Sequence, residues 1–565
     1  MTQSSVHGEG TRRGVRPARV PGQRSGSHEQ EGDSGDGDSG GGGNAADGNG
    51  GNGDRGSAGR QRRPGKRKVL RWSAATLSVL ILATAGVGYL YYEHLNSNIQ
   101  KGKRSSGDSK AEKTEPNAAG QTPLNILLIG SDSRNSDANV SLGGDRANRG
   151  NPPLGDVQML VHVSADRKSA AVVSIPRDTR VDIPKCTNPD TGEKFEATNA
   201  IINTSLARGG AGCTLATWQN LTGVYIDHWM TIDFAGVVKM ADAIGGVEVC
   251  VKQNVWDRPL PGVSGGSGLK LTAGKHKVQG KQALQWLRTR HAFYSDLGRA
   301  KAQHMYMNSM IRTLKSQNVF TDAGRLTGLA EAATKSLTVS EELGTVKELY
   351  DLGMQLKSVP TDRITMTTMP TVEDPQNKNH LVAADADAET LWTMLRDDIA
   401  FDGKGGAAAT KAPTAAASTA ASTDPAADPG KIGVLVQNGT RTATLAAVGG
   451  RASAISGVLS GKGFTNAAAD RSGSLSLEKT VVRYPSADLA GDAQLVAKSL
   501  GIPVSSVKKS TDVSGVTVIV GADWREGEAY PKQAAPKAGQ LPATADKVVG
   551  SDTDACMDVY SPYRW

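Results

Sequence analysis

The chain has 565 residues, a formal net charge of +8, 38% hydrophobic residues and only 4% aromatic residues. That length allows more than one domain. The low aromatic content, with much of the basic charge gathered near the start, argues against nucleic acid as a partner.

Residues 1–59 are rich in Gly, Ser, Asp and Asn and almost free of apolar side chains. Such a segment buries too little surface to offset its ordering entropy and reads as disordered. A basic cluster, Arg60 to Arg71, closes this tail at residue 71, and Trp72–Tyr92 carry no charge. An uncharged run of that length spans a bilayer as a helix, with Trp72 and Tyr89, Tyr91 and Tyr92 at its two interfaces. A cleaved signal peptide is the competing reading, from Ala83-Thr84-Ala85, but the apolar run continues past that point. The positive-inside rule puts residues 1–71 in the cytoplasm and everything after Tyr92 outside: a single-pass cell-membrane protein.

Residues 93–121 are polar and read as a stalk. A larger domain is expected over 122–399. Leu124–Ile129, Val157–Val163 and Ala170–Ile175 are strand candidates, and the Gly- and Pro-containing stretch 135–154 is a loop. Helical spacing follows in Leu215, Trp218 and Leu221, and again from Phe234 to Ile244, where Gly245-Gly246 supplies a stop. Val247–Val251 is a strand, Gly280–Trp286 a short helix, and Ala300–Leu314 a long one. The alternation predicts an α/β fold with a mixed sheet flanked by helices. Residues 400–430 form an Ala/Thr/Pro linker. A small, separate αβ module is expected over 431–524: strands at Ile432–Val436, Thr480–Tyr484 and Val516–Val520, a helix over Ala443–Leu459 and another over Ala490–Leu500. Residues 525–565 read as a flexible tail.

All four cysteines follow the apolar span, in a compartment that permits disulfides. Cys186, Cys213 and Cys250 are the bridge candidates, as Cys186–Cys213 or Cys186–Cys250. Cys556, in a polar tail, could stay unpaired.

Four segments carry chemistry: Gly130-Ser131-Asp132-Ser133-Arg134, Gly155-Asp156, Ile175-Pro176-Arg177-Asp178-Thr179, and Arg288-Thr289-Arg290 with Asp296-Leu297-Gly298-Arg299 and Gln303. Arginine forks match phosphate oxygens, and Mg²⁺ prefers carboxylate oxygens. A pocket holding both suits a pyrophosphate. Each segment alone has a plainer explanation: a lone Asp-Ser-Arg is usually a turn, and a lone Arg-x-Arg a solvated strand face. Arg180 and Asp178 can simply pair with neighbours, and His228 reads as structural.

Taken in order, these segments resemble the LytR-CpsA-Psr family of cell-wall glycopolymer ligases. Leu221-Thr222-Gly223, Ile226-Asp227-His228, Ile232-Asp233-Phe234 and Gly245-Gly246-Val247 add to the likeness, which covers about residues 122–395. Val436-Gln437-Asn438-Gly439-Thr440, Gly463-Phe464 and Val520-Gly521-Ala522-Asp523-Trp524 resemble the LytR-type module that often follows. The resemblance implies transfer of a polyprenyl-pyrophosphate-linked glycopolymer onto peptidoglycan. It implies Mg²⁺ held by Asp132 and Asp156, with Asp132 also the candidate to orient or deprotonate the acceptor hydroxyl. Arg177, Arg288 and Arg290 would clamp the phosphates, helped by Arg134, Arg299 and Gln303. Two positions depart from the family pattern. Leu154 stands where many relatives carry Arg, and Ile201 where many carry Lys; Arg146 or Arg149 could substitute. Those losses keep open a non-catalytic protein that binds polyprenyl-pyrophosphate glycans. A membrane-bound transcriptional attenuator is the third reading, and it suits an external domain poorly.

Overall fold

The computed structural model describes residues 66–565 apart from 110, 118, 134–136, 143–149, 317–321, 405–424, 443–444, 478, 504–505 and 532–535. Arg134, Arg146, Arg149 and most of the linker therefore lie outside the described residues. Contacts divide the chain into 1–77 and 78–565.

Helix α1 (Lys66–Asn98) is the one described helix long and apolar enough to cross a membrane. Its large apolar side chains are uncovered, as with Trp72 at 75% and Leu82 at 71% exposure. Its last turns behave differently. Leu95 and the following Ile99 are buried, and Asn96 accepts a hydrogen bond from Val346 N at 2.9 Å.

The larger domain is built on an eight-stranded mixed sheet. Its strands are β1 (Gln100–Gly102), β2 (Leu124–Ser131), β3 (Gly155–Val163), β4 (Ala170–Ser174), β5 (His228–Ile232), β6 (Leu337–Ser340), β7 (Ile364–Thr368) and β8 (Lys547–Val549). Their order across the sheet is β1-β6-β5-β2-β3-β4-β7-β8. β2 lies between β5, which runs parallel to it, and β3, which runs antiparallel.

The apolar runs recognised in the sequence are near-continuous because both faces of the sheet are covered. Along β2, Ile126 enters one core, while Leu127 and Ile129 enter the other. Helix α2 (Ser205–Thr222) covers the second face through Leu215 and Trp218. The first face receives helices α3 (Phe234–Ala243), α4 (Gly280–Arg288) and α5 (Asp296–Ser316) through Ala241, Trp286, Ala302 and Met305. The Gly245-Gly246 stop behaves as expected: both glycines have φ near the left-handed region (72° and 96°), and Gly246 N returns to Ala241 O at 2.8 Å.

Residues 431–524 form a second core around a five-stranded sheet, ordered Ala467–Ser476, Val434–Arg441, Val516–Val520, Val481–Tyr484 and Val507–Lys509. The helix expected from Ala443 starts only at Arg451, because Gly450 ahead of it sits at φ 71°.

Two expectations need correction. Residues 93–121 are no free stalk. β1 adds to the edge of β6, Thr187 N donates to Ser106 O at 2.8 Å, and Trp229 Nε1 donates to Arg104 O at 3.0 Å. Backbone groups pair whatever the polarity of the side chains, so composition hid this. Nor is the end of the chain a flexible tail: β8 pairs antiparallel with β7, and Cys556 is bonded to Cys250 across 306 residues. Cys556 is thus not left unpaired. The other bridge is Cys186–Cys213, one of the two pairings expected.

Mass spectrometry of the unreduced protein should find both bridges and no free thiol. Replacing Cys250 and Cys556 with Ser should cost about 2–5 kcal/mol in denaturant unfolding. An unchanged midpoint would mean that the bridge adds nothing to the pairing of β7 with β8.

Candidate active site

The site gathers where β2 and β3 end. Ser131 pairs with Gly155 and Gly130 with Val157, which leaves Asp156 as the extra residue of a β-bulge. A bulge re-aims the side chain it carries. Buried Gln158 braces this end of β3. Its amide donates to Gly155 O at 3.2 Å and accepts from Trp218 Nε1 at 2.7 Å. Asp132 is held by a two-way clasp: its N–H donates to Leu154 O at 3.0 Å, and its Oδ1 accepts from Leu154 N at 2.6 Å. Leu154, which replaces an expected cation, therefore contributes its backbone.

Arg177 lies in the turn after β4, closed by Thr179 N donating to Pro176 O at 3.0 Å. Its Nη1 reaches both Asp156 oxygens at 3.2 Å, and its Nε reaches Asp178 Oδ2 at 3.4 Å. Burial works against the Arg177 charge, but Asp156, Asp296 and Asp178 outweigh it and raise its pKa above the ordinary arginine value. Arg180, by contrast, pairs with buried Asp374 at 2.6 Å.

Helix α5 begins with Asp296, whose Oδ1 lies 3.2 Å from Arg299 Nη2 one turn on. Gly298 between them has no room for a side chain, since a Cβ would sit 1.8 Å from Phe293 O. Arg299 is only 9% exposed, and burial lowers its pKa despite Asp296. Burial also pulls the Asp296 carboxyl up, but Arg299, Arg177, a hydrogen bond shared with Asp178, and Arg290 together hold it below the usual range. Burial pushes its neighbour Asp178 up; Arg177 opposes this and the Asp296 carboxylate reinforces it.

Arg288 and Arg290 do not lie on a strand face, the plainer reading of a lone Arg-x-Arg. Arg288 ends α4, Thr289 (φ −67°, ψ 118°) caps it, and Arg290 opens a turn in which Phe293 N donates to Arg290 O at 3.1 Å. The Arg288 guanidinium stacks 4.8 Å from the centre of the Phe234 ring at the start of α3. Arg290 is exposed and acts electrostatically on Asp296 and Arg299. Gln303 donates to Leu287 O at 3.0 Å, so it ties α5 to α4 beside Arg288.

The structure thus brings Asp156, Arg177, Arg290 and Arg299 into one electrostatic network. Asp178 and Asp296, which lie in the chemistry-bearing segments but were given no role at the site, join it, and Asp178 pairs with its neighbour Arg177 as expected. Asp296 could have been found from its spacing, three residues before Arg299 on one helix face. Phe234 beneath Arg288 left no such signal.

A model of the LytR_cpsA_psr family matches residues 89–397, more than half of the chain. The chain belongs to the LytR_cpsA_psr family. A second model, described as the LytR cell envelope-related transcriptional attenuator, matches residues 431–524. Among relatives, the cell wall biosynthesis protein LcpA of Corynebacterium glutamicum is 30% identical over 327 residues, 54% of this chain and 60% of LcpA. The chain therefore spans less than two thirds of that relative's length. The polyisoprenyl-teichoic acid–peptidoglycan teichoic acid transferase TagT of Bacillus subtilis is 25% identical over 313 residues, 54% of this chain and 88% of TagT. The crystal structure of TagV from the same organism aligns with a TM-score of 0.37 at 21% identity, covering 49% of this chain and 96% of TagV.

The Asp178–Asp296 pair makes a pH-dependent prediction. A carboxyl whose pKa is raised on folding contributes stability that is present below its unfolded value and lost as pH rises through the folded one. Asp178→Asn should therefore be nearly neutral at about pH 3 and neutral or stabilising at about pH 7, either side of the ordinary Asp value of about 3.9. Denaturant titration at both pH values checks this. A clear loss of stability confined to neutral pH would show that the Arg177–Asp178 attraction dominates.

Proposed function

We propose that this chain moves a glycopolymer from a polyprenyl-pyrophosphate carrier onto peptidoglycan, acting as a Mg²⁺-assisted phosphotransferase anchored by α1. The observation that carries this reading is the network of Arg177, Arg290 and Arg299 interleaved with Asp156 and Asp296 at the open end of β2 and β3. Membership of the family and the transferase name of TagT support it.

In the reaction, a hydroxyl oxygen of the acceptor sugar attacks the sugar-proximal phosphorus. The bond from that phosphorus to the bridging oxygen breaks, and polyprenyl phosphate leaves with the electron pair. Asp132, fixed by the Leu154 clasp, orients the hydroxyl and takes its proton. The arginines face oxygens whose negative charge grows toward the leaving group. Arg177 and Arg299 are pre-positioned by carboxylates, so little reorganisation accompanies binding.

Asp132 and Asp156 are the carboxylates that would hold Mg²⁺, with both Asp156 oxygens also engaged by Arg177. They offer hard carboxylate oxygens at the ends of two hydrogen-bonded strands, and Mg²⁺ commonly takes one or two carboxylates plus substrate phosphates. When bound, the ion would supply charge stabilisation at phosphate oxygens.

Turnover of a polyprenyl-pyrophosphate-linked glycopolymer by folded variants is the test. Arg177→Ala, Arg288→Ala and Arg290→Ala should each lose about 10²–10³-fold in kcat, the usual effect of removing one charge-stabilising donor. Arg290→Lys should stay impaired, because an ammonium lacks the guanidinium fork. Asp132→Ala should blunt the response to chelator. Near-normal turnover of the arginine variants would reduce them to surface charge.

The same reading places the enzyme outside the membrane. Protease added to intact cells should degrade the chain beyond Tyr92; full protection of that region would refute this orientation.

A further inference from the structure

Residues 556–565 lie outside both family-matched stretches, yet they pack against the loop that joins Arg290 to Asp296. That loop, His291–Ser295, contains a tyrosine in the left-handed region: Tyr294 has φ 73°. A non-glycine residue holds such a backbone only where its surroundings enforce it. Local turn hydrogen bonds hold the loop from within, and the distal segment meets it at three points. Tyr560 N donates to Ala292 O at 2.8 Å. The Tyr560 ring packs 5.1 Å from that of Tyr294, and Tyr563 stacks on His291 at 6.1 Å.

The segment is itself fastened. Cys556 is bonded to Cys250, and Met557 exchanges 2.9 Å backbone hydrogen bonds with Cys250 and Lys252. Val559 and Tyr563 are buried in the same core as Ala292 and Phe293. The loop has little slack, because Phe293 O abuts Gly298 at the start of α5.

We propose that residues 556–565 form a positioning strap of the phosphate site, holding the His291–Ser295 loop so that Arg290 keeps its place beside Asp296 and Arg299. The ligand half of this inference rests on the functional reading above, whereas the loop-holding half does not. Touching no substrate itself, the strap acts only through the loop.

The test uses the full-length chain in detergent, a variant truncated after Met557 that keeps the bridge, Tyr560→Ala, and Tyr560→Phe. Amide exchange over 290–299 is read by mass spectrometry, and affinity is read by titration with inorganic pyrophosphate. Thermal unfolding and non-reducing mass spectrometry establish that each variant is folded and bridged. Truncation and Tyr560→Ala should speed exchange in this loop at least tenfold and weaken pyrophosphate about tenfold, while Tyr560→Phe stays near the parent. Parental exchange rates in the folded truncation, or faster exchange with parental affinity, would overturn the strap alone. If the parent chain fails to bind pyrophosphate, the functional reading falls and the strap's role in a phosphate site falls with it. Should the truncation not fold, Tyr560→Ala against Tyr560→Phe decides by the same two readouts.

Discussion

The site depends on alternating arginines with carboxylates in a half-buried space. Arg299 is nearly enclosed, and Arg177 and Arg290 act on it as like charges. A buried guanidinium without a partner would be costly enough to unfold the region. Asp156 and Asp296 offset part of that penalty, each acting on more than one arginine. The result is a set of cations held by carboxylates, with Arg299 buried, Arg177 partly buried and Arg290 exposed. An anion with several oxygens can then meet groups whose positions are already fixed.

That network exists because of backbone geometry in three places. The bulge in β3 turns Asp156 out of the ladder. The turn after β4 delivers Arg177 to it. The tight junction at Phe293 and Gly298 starts α5 with Asp296 and Arg299 on one face. Each of these sits on a sheet buried on both sides, so the scaffold has little freedom to drift. Gln303 and Gln158, both buried amides, spend their hydrogen bonds bracing the frame around the charges.

Much of this was legible in the chain. β2, β3 and β4 announce themselves as apolar runs ending in polar turns, and α3 by its spacing and its Gly245-Gly246 stop. Of the charged segments that carry the family likeness, the fold brings Asp156, Arg177, Arg290 and Arg299 together, whereas Asp132 is clasped to Leu154, Arg288 stacks on Phe234 and Arg134 lies outside the described residues. What stayed hidden depended on distant pairing. β1 and β8 are three-residue edge strands that exist only because β6 and β7 offer an open edge. The Cys250–Cys556 bridge joins residues that no local pattern connects. Arg288 and Arg290 looked extended because an alternating pair fits a strand. The helix simply runs two residues further than Trp286 and turns at Thr289.

A crystal structure of the chain with a polyprenyl pyrophosphate is the most direct test of the interleaved network as a pyrophosphate site. The two phosphorus atoms should lie against Arg177, Arg290 and Arg299, with the sugar-proximal one facing Asp132. Density for the pyrophosphate elsewhere, with the Asp156–Arg177 and Asp296–Arg299 pairs undisturbed and uncontacted, would contradict it.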